Sequence, residues 1–268
     1  MTAVTPDPDR APTPDPRQIP TLDAFVVVIP AHNEEALISA ALEAVLAAVR
    51  FAQHTDPTTP HVEVVVVADA CTDRTVEIAC EFAGVRVCAV DGKNVGAARA
   101  SGVQLALEQL DCSLDQVWIG NTDADSRVPL TWILEQVRIA RRGYAGMIGT
   151  VRPDFDDLSS NQIRVWQATH TPGRPNGHVH GANLGVRADA YLAVGGFLAQ
   201  PAHEDVTLVD RLVARGFSLL PSDECEVITS GRRQGRTPEG YAAYLRSALE
   251  VADQDHPLPG TRDPAPLR

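Results

Sequence analysis

The first half of the sequence repeats one pattern, in which a short run of β-branched residues is followed by residues at helical spacing. The run at 24–29, AFVVVI, is apolar at every position, as expected for a strand that is covered on both faces of a sheet. Comparable runs stand at 62–67, 85–90 and 116–119. This alternation is typical of βαβ units and predicts an α/β fold, in which helices flank a mostly parallel sheet.

The pattern becomes less regular after Gly143. The stretch 152–181 is polar and contains three histidines, unlike the βαβ units before it. The elements expected in the second half are a strand at 145–151, helices at 188–194 and 205–215, and two short strands near 217–220 and 226–229. We therefore expect the first half to form an α/β sheet of the kind that binds nucleotides, and the second half to form a smaller region with a different function.

Both ends of the chain have compositions that do not support a packed core. Six of the first 20 residues are proline, and four more prolines follow residue 256. Such segments bury too little apolar surface to offset the entropy that is lost on ordering. The sequence predicts a disordered arm over 1–22, one folded domain over 23–251 with halves at 23–143 and 144–251, and a flexible tail over 252–268.

Charge and composition exclude several classes of function. The 23 Lys and Arg residues are outnumbered by 35 Asp and Glu, giving a net charge of -12, which argues against nucleic acid as a partner. No apolar run approaches the roughly 20 residues that span a bilayer, and the start of the chain lacks the pattern of a signal peptide. The five cysteines form no CxxC pair. We expect a soluble cytoplasmic protein with no integral membrane segment.

Polar residues follow each of the four predicted strands in the first half. Because ligands of open α/β sheets bind outside the carboxyl ends of the strands, these residues are candidates for one shared site. They are Asn33 with Glu34, Asp69 with Asp73, Lys93 with Asn94, and Asp123 with Asp125. Helix capping is the alternative explanation for Asn33 and Asp73.

The sharpest of these features is the sequence Asp123-Ala124-Asp125 directly after a buried strand. Two carboxylates at alternate positions suit a hard divalent cation that keeps several waters and bridges phosphate oxygens, although a solvated turn has the same pattern. Neither a P-loop nor a dinucleotide-binding fingerprint is present. A phosphatase with an aspartyl nucleophile remains an alternative, but its Asp-x-Asp would more naturally follow the first strand.

Six segments, in this order, resemble the GT-A glycosyltransferases of family 2 over residues 25–233. They are VVVIPAHNEE (26–35), VVVVADACTDRT (64–75), GKNVGAARASGV (92–103), NTDADS (121–126), HGANLGVRADAYLAVGGF (180–197) and HEDVTLVDRLVARGF (203–217). The resemblance implies a GT-A fold, Rossmann-like with a smaller C-terminal acceptor-side region. It also implies transfer of a sugar from a nucleoside diphosphate donor to an acceptor, which is either a small molecule or lipid-linked.

The resemblance further implies a role for particular residues. Asp205 would be the general base of an inverting reaction, and Asp123 and Asp125 would hold Mg²⁺ or Mn²⁺, with Asp125 as the principal ligand. The residues implied to contact the donor are Pro30, Ala31, Asn33, Glu34, Asp69, Lys93, Asp123, Asn183, Glu204, Arg232 and Arg233. Among these, Asp69 would meet the base and Lys93 the diphosphate. A helix start at Asp205 would favour its ionised form.

Two departures from the family pattern leave alternatives open. Ala68 replaces an acidic residue that often precedes the position of Asp69, so recognition of the base would rest on Asp69 alone. Where many relatives place a histidine that completes the metal site, this chain continues from Ser230 to Arg232 and Arg233. Those arginines could clamp the diphosphate, or one of three other histidines could complete the metal site. These are His178, His180 and His203. A non-catalytic nucleotide-sugar binder is the alternative function.

Overall fold

The structure is a computed structural model, and it describes residues 21–170, 175, 178–232 and 245. Its strands are β1 (Ala24–Ala31), β2 (His61–Asp69), β3 (Val85–Val90), β4 (Val117–Asn121), β5 (Ser126–Arg127), β6 (Gly146–Pro153), β7 (Leu184–Arg187) and β8 (Leu219–Thr229). Its helices are α1 (Ile38–Thr55), α2 (Thr75–Cys80), α3 (Val95–Leu107), α4 (Trp132–Arg141), α5 (Ser160–Thr169), α6 (Ala188–Ala193) and α7 (Glu204–Ala214).

The eight strands form one sheet in the order β3-β2-β1-β4-β7-β6-β8-β5. The four strands of the first half pair in parallel, and so do β6 and β8. The short strand β7 runs antiparallel between β4 and β6, and β5 runs antiparallel to β8. The predicted α/β class with a mostly parallel sheet is confirmed.

The central strand β1 shows why its sequence lacks alternation. Phe25, Val27 and Ile29 point into a core cluster that includes residues of α1 and α4. Val26 and Val28 point to the opposite face, where the cluster includes residues of α3. Because both faces of the strand are buried, an apolar side chain is required at every position.

Small residues let α3 lie close to the sheet. A Cβ on Gly102 would stand only 2.8 Å from methyl carbons of Val28 and Val67. Because α3 follows β3 and begins at the carboxyl edge of the sheet, this packing fixes its first turn beside the ends of β1 and β2. The helix therefore belongs to the framework of the candidate site.

Four elements differ from the sequence prediction, and one of them is the two-residue strand β5, which was not predicted. Helix α5 lies in the stretch that was expected to be irregular, and it begins with a capping box between Ser159 and Gln162. Strand β7 was not predicted, since it has only four residues. The two short strands expected near the end form the single strand β8, which has a register irregularity opposite Gly149.

The chain also folds slightly before the predicted boundary. Leu22 is buried in the main core cluster, and the backbone N–H of Asp23 donates to the carbonyl of Gln116. The predicted arm therefore ends before residue 22. The rest of that arm and the predicted tail over 252–268 lie outside the described residues and stay predictions.

The described helices include none that is both long and apolar enough to cross a bilayer.

Candidate active site

Two aspartates follow β4 at the carboxyl edge of the sheet. The side chain of Asp123 is 35% exposed, and its Oδ1 accepts a hydrogen bond from Arg99 Nη2 at 2.5 Å. The side chain of Asp125 is only 15% exposed, and its Oδ1 accepts from the hydroxyls of Ser126 and Thr229 at 3.2 and 3.4 Å. The pattern Asp-x-Asp therefore places one partly exposed carboxylate and one largely buried carboxylate after the same strand.

Arg99 is the buried cation of this site, and the sequence analysis missed it. Its side chain is 2% exposed, and besides Asp123 it pairs with Glu204, with 3.1 Å between Nε and Oε1. Burial opposes its charge, but Asp123 and Glu204 outweigh that effect and raise the pKa of the guanidinium. The sequence of α3 did indicate a special role for Arg99. It is the only charged residue of this helix and lies on the same buried face as Gly96 and Gly102.

Asp205 stands in the first turn of α7 and is held by two backbone amides. Its Oδ2 accepts from the N–H of Gly181 at 2.6 Å, and its Oδ1 accepts from the N–H of Val206 at 2.7 Å. Burial raises the pKa of this carboxyl above its ordinary value, and the two amides and Arg99 oppose that shift only in part. The sequence analysis expected the helix start to favour the ionised carboxyl, whereas burial has the largest effect on the pKa of Asp205 and raises it.

Gly181 lies between Asp205, to which its backbone N–H donates, and the guanidinium group of Arg99. A Cβ at this position would stand 2.5 Å from Arg99 Nη2, so a larger residue would displace the guanidinium. The neighbouring Glu204 is also buried, and its pKa is raised mainly by burial, against the attraction of Arg99. Arg99 thus lies at the junction of the strand-end aspartates and the acidic first turn of α7.

A second arginine reaches the site from the segment after β8. Arg232 donates two hydrogen bonds of 2.7 Å each to the buried carboxylate of Glu34, and its Nη2 lies 3.0 Å from Asp125 Oδ2. Burial and the nearby charge of Asp123 raise the pKa of Asp125 to about 6, although Arg232 opposes the shift. Three predicted site residues are thereby brought into direct contact. The other predicted arginine, Arg233, lies outside the described residues.

Asp69 organises the loop before α3. Its carboxylate accepts from the backbone N–H groups of Gly92, Lys93 and Asn94 at 2.7, 2.8 and 2.7 Å. The side chain of Lys93 is exposed and its backbone is left-handed, with a φ of 49°. Asp69 therefore has a structural task in shaping the loop that carries Lys93, and its contact with a base stays a prediction.

The side chain of Asn33 connects the loop after β1 to the loop after β2, and its contact with the donor stays a prediction. The Oδ1 of Asn33 accepts from the N–H of Thr72 at 2.7 Å, whereas α1 begins only at Ile38 with no side-chain cap. Asn33 therefore does not cap the helix. Asp73 does act at a helix start, since its Oδ1 accepts from the N–H of Thr75 at 3.0 Å.

Pro30 and Ala31 form the end of β1, at the same edge of the sheet as Asp123 and Glu34. Pro30 is half-buried and Ala31 is buried. Their contact with a nucleoside stays a prediction.

Asn183 lies in the core of the protein, and its contact with the donor stays a prediction. The residue is fully buried, and its Oδ1 accepts from the indole N–H of Trp132 at 2.9 Å. Its Nδ2 donates to the carbonyls of Thr150 and Cys225. These hydrogen bonds give Asn183 a structural role, since they connect the segment before β7 to α4, β6 and β8.

The histidines do not complete a metal site among the described residues. Burial, together with the neighbouring His178 and His170, lowers the pKa of His180 to about 4. Within the described ranges no group of three or more His, Cys, Asp or Glu side chains is placed to hold a metal ion. The oxygens of Asp123 and Asp125 suit a hard divalent ion that keeps its waters, and their binding of such an ion stays a prediction.

A family model, described as glycosyl transferase family 2, matches residues 26–189. This range includes the ends of β1, β2 and β4 together with Arg99 and both aspartates of the Asp-x-Asp pattern. The chain belongs to glycosyl transferase family 2. The match ends before Asp205 and Arg232, so their roles are argued below from their contacts.

Solved structures confirm the GT-A fold of this family 2 chain. The mannosyltransferase PcManGT from Pyrobaculum calidifontis, in complex with GDP-Man and Mn²⁺, aligns with a TM-score of 0.57 at 20% identity, over 91% of this chain and 66% of its own. S. aureus TarS 1-349 aligns with a TM-score of 0.54 at 15% identity, over 88% of this chain and 66% of its own. GalNAc-T7 with UDP, GalNAc and Mn²⁺ gives a TM-score of 0.55 at 15% identity, over 88% of this chain and 52% of its own.

No curated protein matches the chain at a significant level. The chain spans less than two thirds of the length of the solved relatives just named.

Proposed function

We propose that this family 2 chain transfers a sugar from a nucleoside diphosphate donor to an acceptor hydroxyl, with inversion and with Asp205 as the general base. The observation that carries the proposal is the position of the Asp205 carboxylate. It is linked through Gly181 and Arg99 to Asp123, which follows the strand end where ligands of such sheets bind. A base and a donor-side carboxylate therefore share one cleft.

The donor side of the cleft suits a nucleotide and its diphosphate. Pro30, Ala31, Glu34 and Asp69 would line the nucleoside, and Lys93 and Arg232 would face the diphosphate. Asp123 and Asp125 would hold Mg²⁺ or Mn²⁺, which supplies Lewis-acid stabilisation of the departing diphosphate when bound. The complexes of PcManGT with GDP-Man and Mn²⁺ and of GalNAc-T7 with UDP, GalNAc and Mn²⁺ support this assignment.

The acceptor side of the cleft would supply the base. The acceptor oxygen forms its bond to the anomeric carbon as the bond from that carbon to the diphosphate oxygen breaks, and the electron pair leaves with the diphosphate. Asp205 takes the acceptor proton in the same displacement. Its two amide contacts fix the direction of the carboxylate, and its raised pKa makes it a stronger base than an exposed aspartate.

A specific observation keeps a non-catalytic nucleotide-sugar binder as the second candidate. Ala68 supplies no polar group for a base, and the carboxylate of Asp69 is already engaged by three backbone amides. A third protein ligand for the divalent ion that turnover needs is also missing from the described residues, because no group of three or more His, Cys, Asp or Glu side chains is placed there to hold a metal ion. An aspartyl-nucleophile phosphatase is disfavoured, because the chain belongs to a glycosyl transferase family.

Calorimetric titration with UDP, GDP, ADP, CDP and dTDP tests the donor site. We expect one nucleotide class to bind with Mn²⁺ or Mg²⁺ and to lose affinity when a chelator is added. Asp125→Ala should remove this dependence on the divalent ion. The matched control is Asp115→Ala, an exposed aspartate that precedes β4 at the opposite end of that strand. Failure of every nucleotide to bind, with or without metal, would contradict the proposed donor site.

A further inference from the structure

A guanidinium group lies where the proposed function places a divalent cation. Arg232 holds Glu34 through two parallel hydrogen bonds of 2.7 Å and stands 3.0 Å from Asp125 Oδ2. Both carboxylates are largely buried, with side chains 6% and 15% exposed. The planar fork of an arginine matches such a carboxylate and neutralises it. Arg232 is therefore the resident counter-cation of Asp125.

Asp125 has no oxygen without a partner in this arrangement. Its Oδ2 is paired with Arg232, and its Oδ1 accepts from the hydroxyls of Ser126 and Thr229. A cation that is to use Asp125 must compete with the guanidinium for the carboxylate. Because the two cations seek the same anion, occupation by one reduces the affinity for the other.

The two arginines of the site differ in their freedom to move. Arg99 is 2% exposed and is held between Asp123 and Glu204, so it belongs to the fixed framework. The side chain of Arg232 is 25% exposed and projects from the segment after the last strand. Of these two cations, Arg232 is the one that can leave its carboxylate without opening the core.

The backbone beside Arg232 is fastened, which confines the movement to the side chain. The N–H of Gly231 donates to Asp157 Oδ2 at 2.8 Å, and the hydroxyl of Ser230 donates to the same oxygen at 3.2 Å. A Cβ on Gly231 would meet Asp157 Cβ at 2.9 Å, so the segment packs closely there. The guanidinium group of Arg232 can therefore change its position while the backbone beside it stays in place.

We propose that Arg232 is a displaceable counter-cation that exchanges Asp125 for the donor diphosphate. This inference rests on the proposed function. Without donor, the guanidinium neutralises Asp125 and Glu34. When a diphosphate enters, Arg232 passes to its oxygens and retains Glu34, and the freed oxygen of Asp125 becomes available to the divalent ion. Arg232 is thus a positioning residue that makes metal binding and diphosphate binding cooperative.

The test measures Mn²⁺ binding and pyrophosphate binding separately in wild type and Arg232→Gln. For Mn²⁺ alone, by electron paramagnetic resonance, we expect the variant to bind about tenfold more tightly, because Asp125 has lost its competing charge. For pyrophosphate in the presence of Mn²⁺, by calorimetry, we expect about tenfold weaker binding. A purely structural role for Arg232 would not change the two affinities in opposite directions.

Arg141→Gln is the matched control. The side chain of Arg141 is 28% exposed and pairs with Asp56 at 2.7 Å, in contacts similar to those of Arg232 but away from the aspartates after β4. Its Mn²⁺ and pyrophosphate affinities should equal those of wild type. Arg232→Lys keeps the charge without the planar fork and should bind free Mn²⁺ more weakly than Arg232→Gln does. If Arg232→Gln does not fold, Arg232→Lys carries the test by comparison with wild type, and we expect it to bind free Mn²⁺ more tightly than wild type because a lysine holds the Asp125 carboxylate less firmly than the planar fork does.

The outcomes separate this inference from the proposed function. If folded Arg232→Gln binds free Mn²⁺ no more tightly than wild type, the exchange is refuted, even where nucleotide binding is intact. If Arg232→Gln binds free Mn²⁺ more tightly and pyrophosphate more weakly, but wild type binds no nucleoside diphosphate, the exchange stands for the diphosphate group and the donor proposal fails. No Mn²⁺ binding by either protein also overturns the exchange, because the variant is expected to bind.

Discussion

At the scale of single residues, the site depends on two arginines that neutralise four carboxylates. Arg99 compensates Asp123 and Glu204, and Arg232 compensates Glu34 and Asp125. A buried ion pair contributes little net stability. Removal of one partner is nevertheless destabilising, because it leaves the other charge buried and uncompensated. The fixed cation should therefore matter for folding, and the movable one for binding.

Arg99→Gln tests this distinction. The substitution leaves Asp123 and Glu204 without their cation, and we expect the free energy of unfolding to fall by about 3–5 kcal/mol. Arg74→Gln, which breaks a fully exposed pair with Glu77, should leave the free energy of unfolding nearly unchanged, because solvent screens such a pair. Urea unfolding of the three proteins at pH 7 measures both differences. Equal stabilities of Arg99→Gln and wild type would show that Arg99 is not the central cation of the site.

At the scale of elements, the site depends on close contact between α3 and the segment that leads into α7. Gly96 in the first turn of α3 donates its N–H to the carbonyl of Gln200 at 3.2 Å. A Cβ on Gly96 would stand 2.0 Å from the carbonyl oxygen of Leu198 and 3.1 Å from Glu204 Cβ. This contact sets the position of the acidic first turn of α7 relative to α3.

Gly96→Ala should therefore destabilise the protein even though alanine favours a helix. The intrinsic gain of about 1 kcal/mol is smaller than the strain of moving a backbone carbonyl, and we expect a net loss of about 1–3 kcal/mol. The matched control is Ser101→Ala at a half-buried position of the same helix, where the substitution makes the side chain smaller and a change below about 0.5 kcal/mol is expected. Guanidinium unfolding checks the sign, and a more stable Gly96→Ala would disprove the close contact.

The elements differ in how well the sequence predicts them. Strands β1 and β2 are predictable because burial on both faces demands continuous β-branched runs. Helix α5 was missed although Ser159 and Gln162 show the spacing of a capping box, because the surrounding polar residues outweigh that short signal. Strand β7 has too few residues to show a period.

The candidate site is predictable only in part, for a related reason. Its carboxylates follow predicted strands or begin a predicted helix, so topology alone places Asp123 and Asp125 at the ligand-binding edge. The partners of those carboxylates are distant in the sequence. Arg232 meets Glu34 across 198 residues and Arg99 meets Glu204 across 105. No local pattern encodes such pairs, and only the three-dimensional structure shows which arginine compensates which acid.

At the scale of the whole molecule, the two halves of the sheet carry different parts of the proposed site. The parallel strands β3-β2-β1-β4 carry the proposed donor side, and the elements after β6 supply Asp205 and Arg232. The antiparallel strand β7 joins these halves into one continuous sheet, and Asn183 and Trp132 form a buried hydrogen bond beneath the cleft. The proposed base and the proposed donor site are thus held by one framework.

The most direct test of sugar transfer at this site compares wild type with Asp205→Asn. Turnover of the nucleotide sugar selected by calorimetry is followed by release of the nucleoside diphosphate, and donor affinity is measured on the same preparations. The amide keeps the size of the carboxylate but cannot take a proton, so we predict a loss of turnover of at least about 100-fold with donor affinity unchanged. Undiminished turnover by Asp205→Asn would contradict the assignment of the base and the catalytic account built on it.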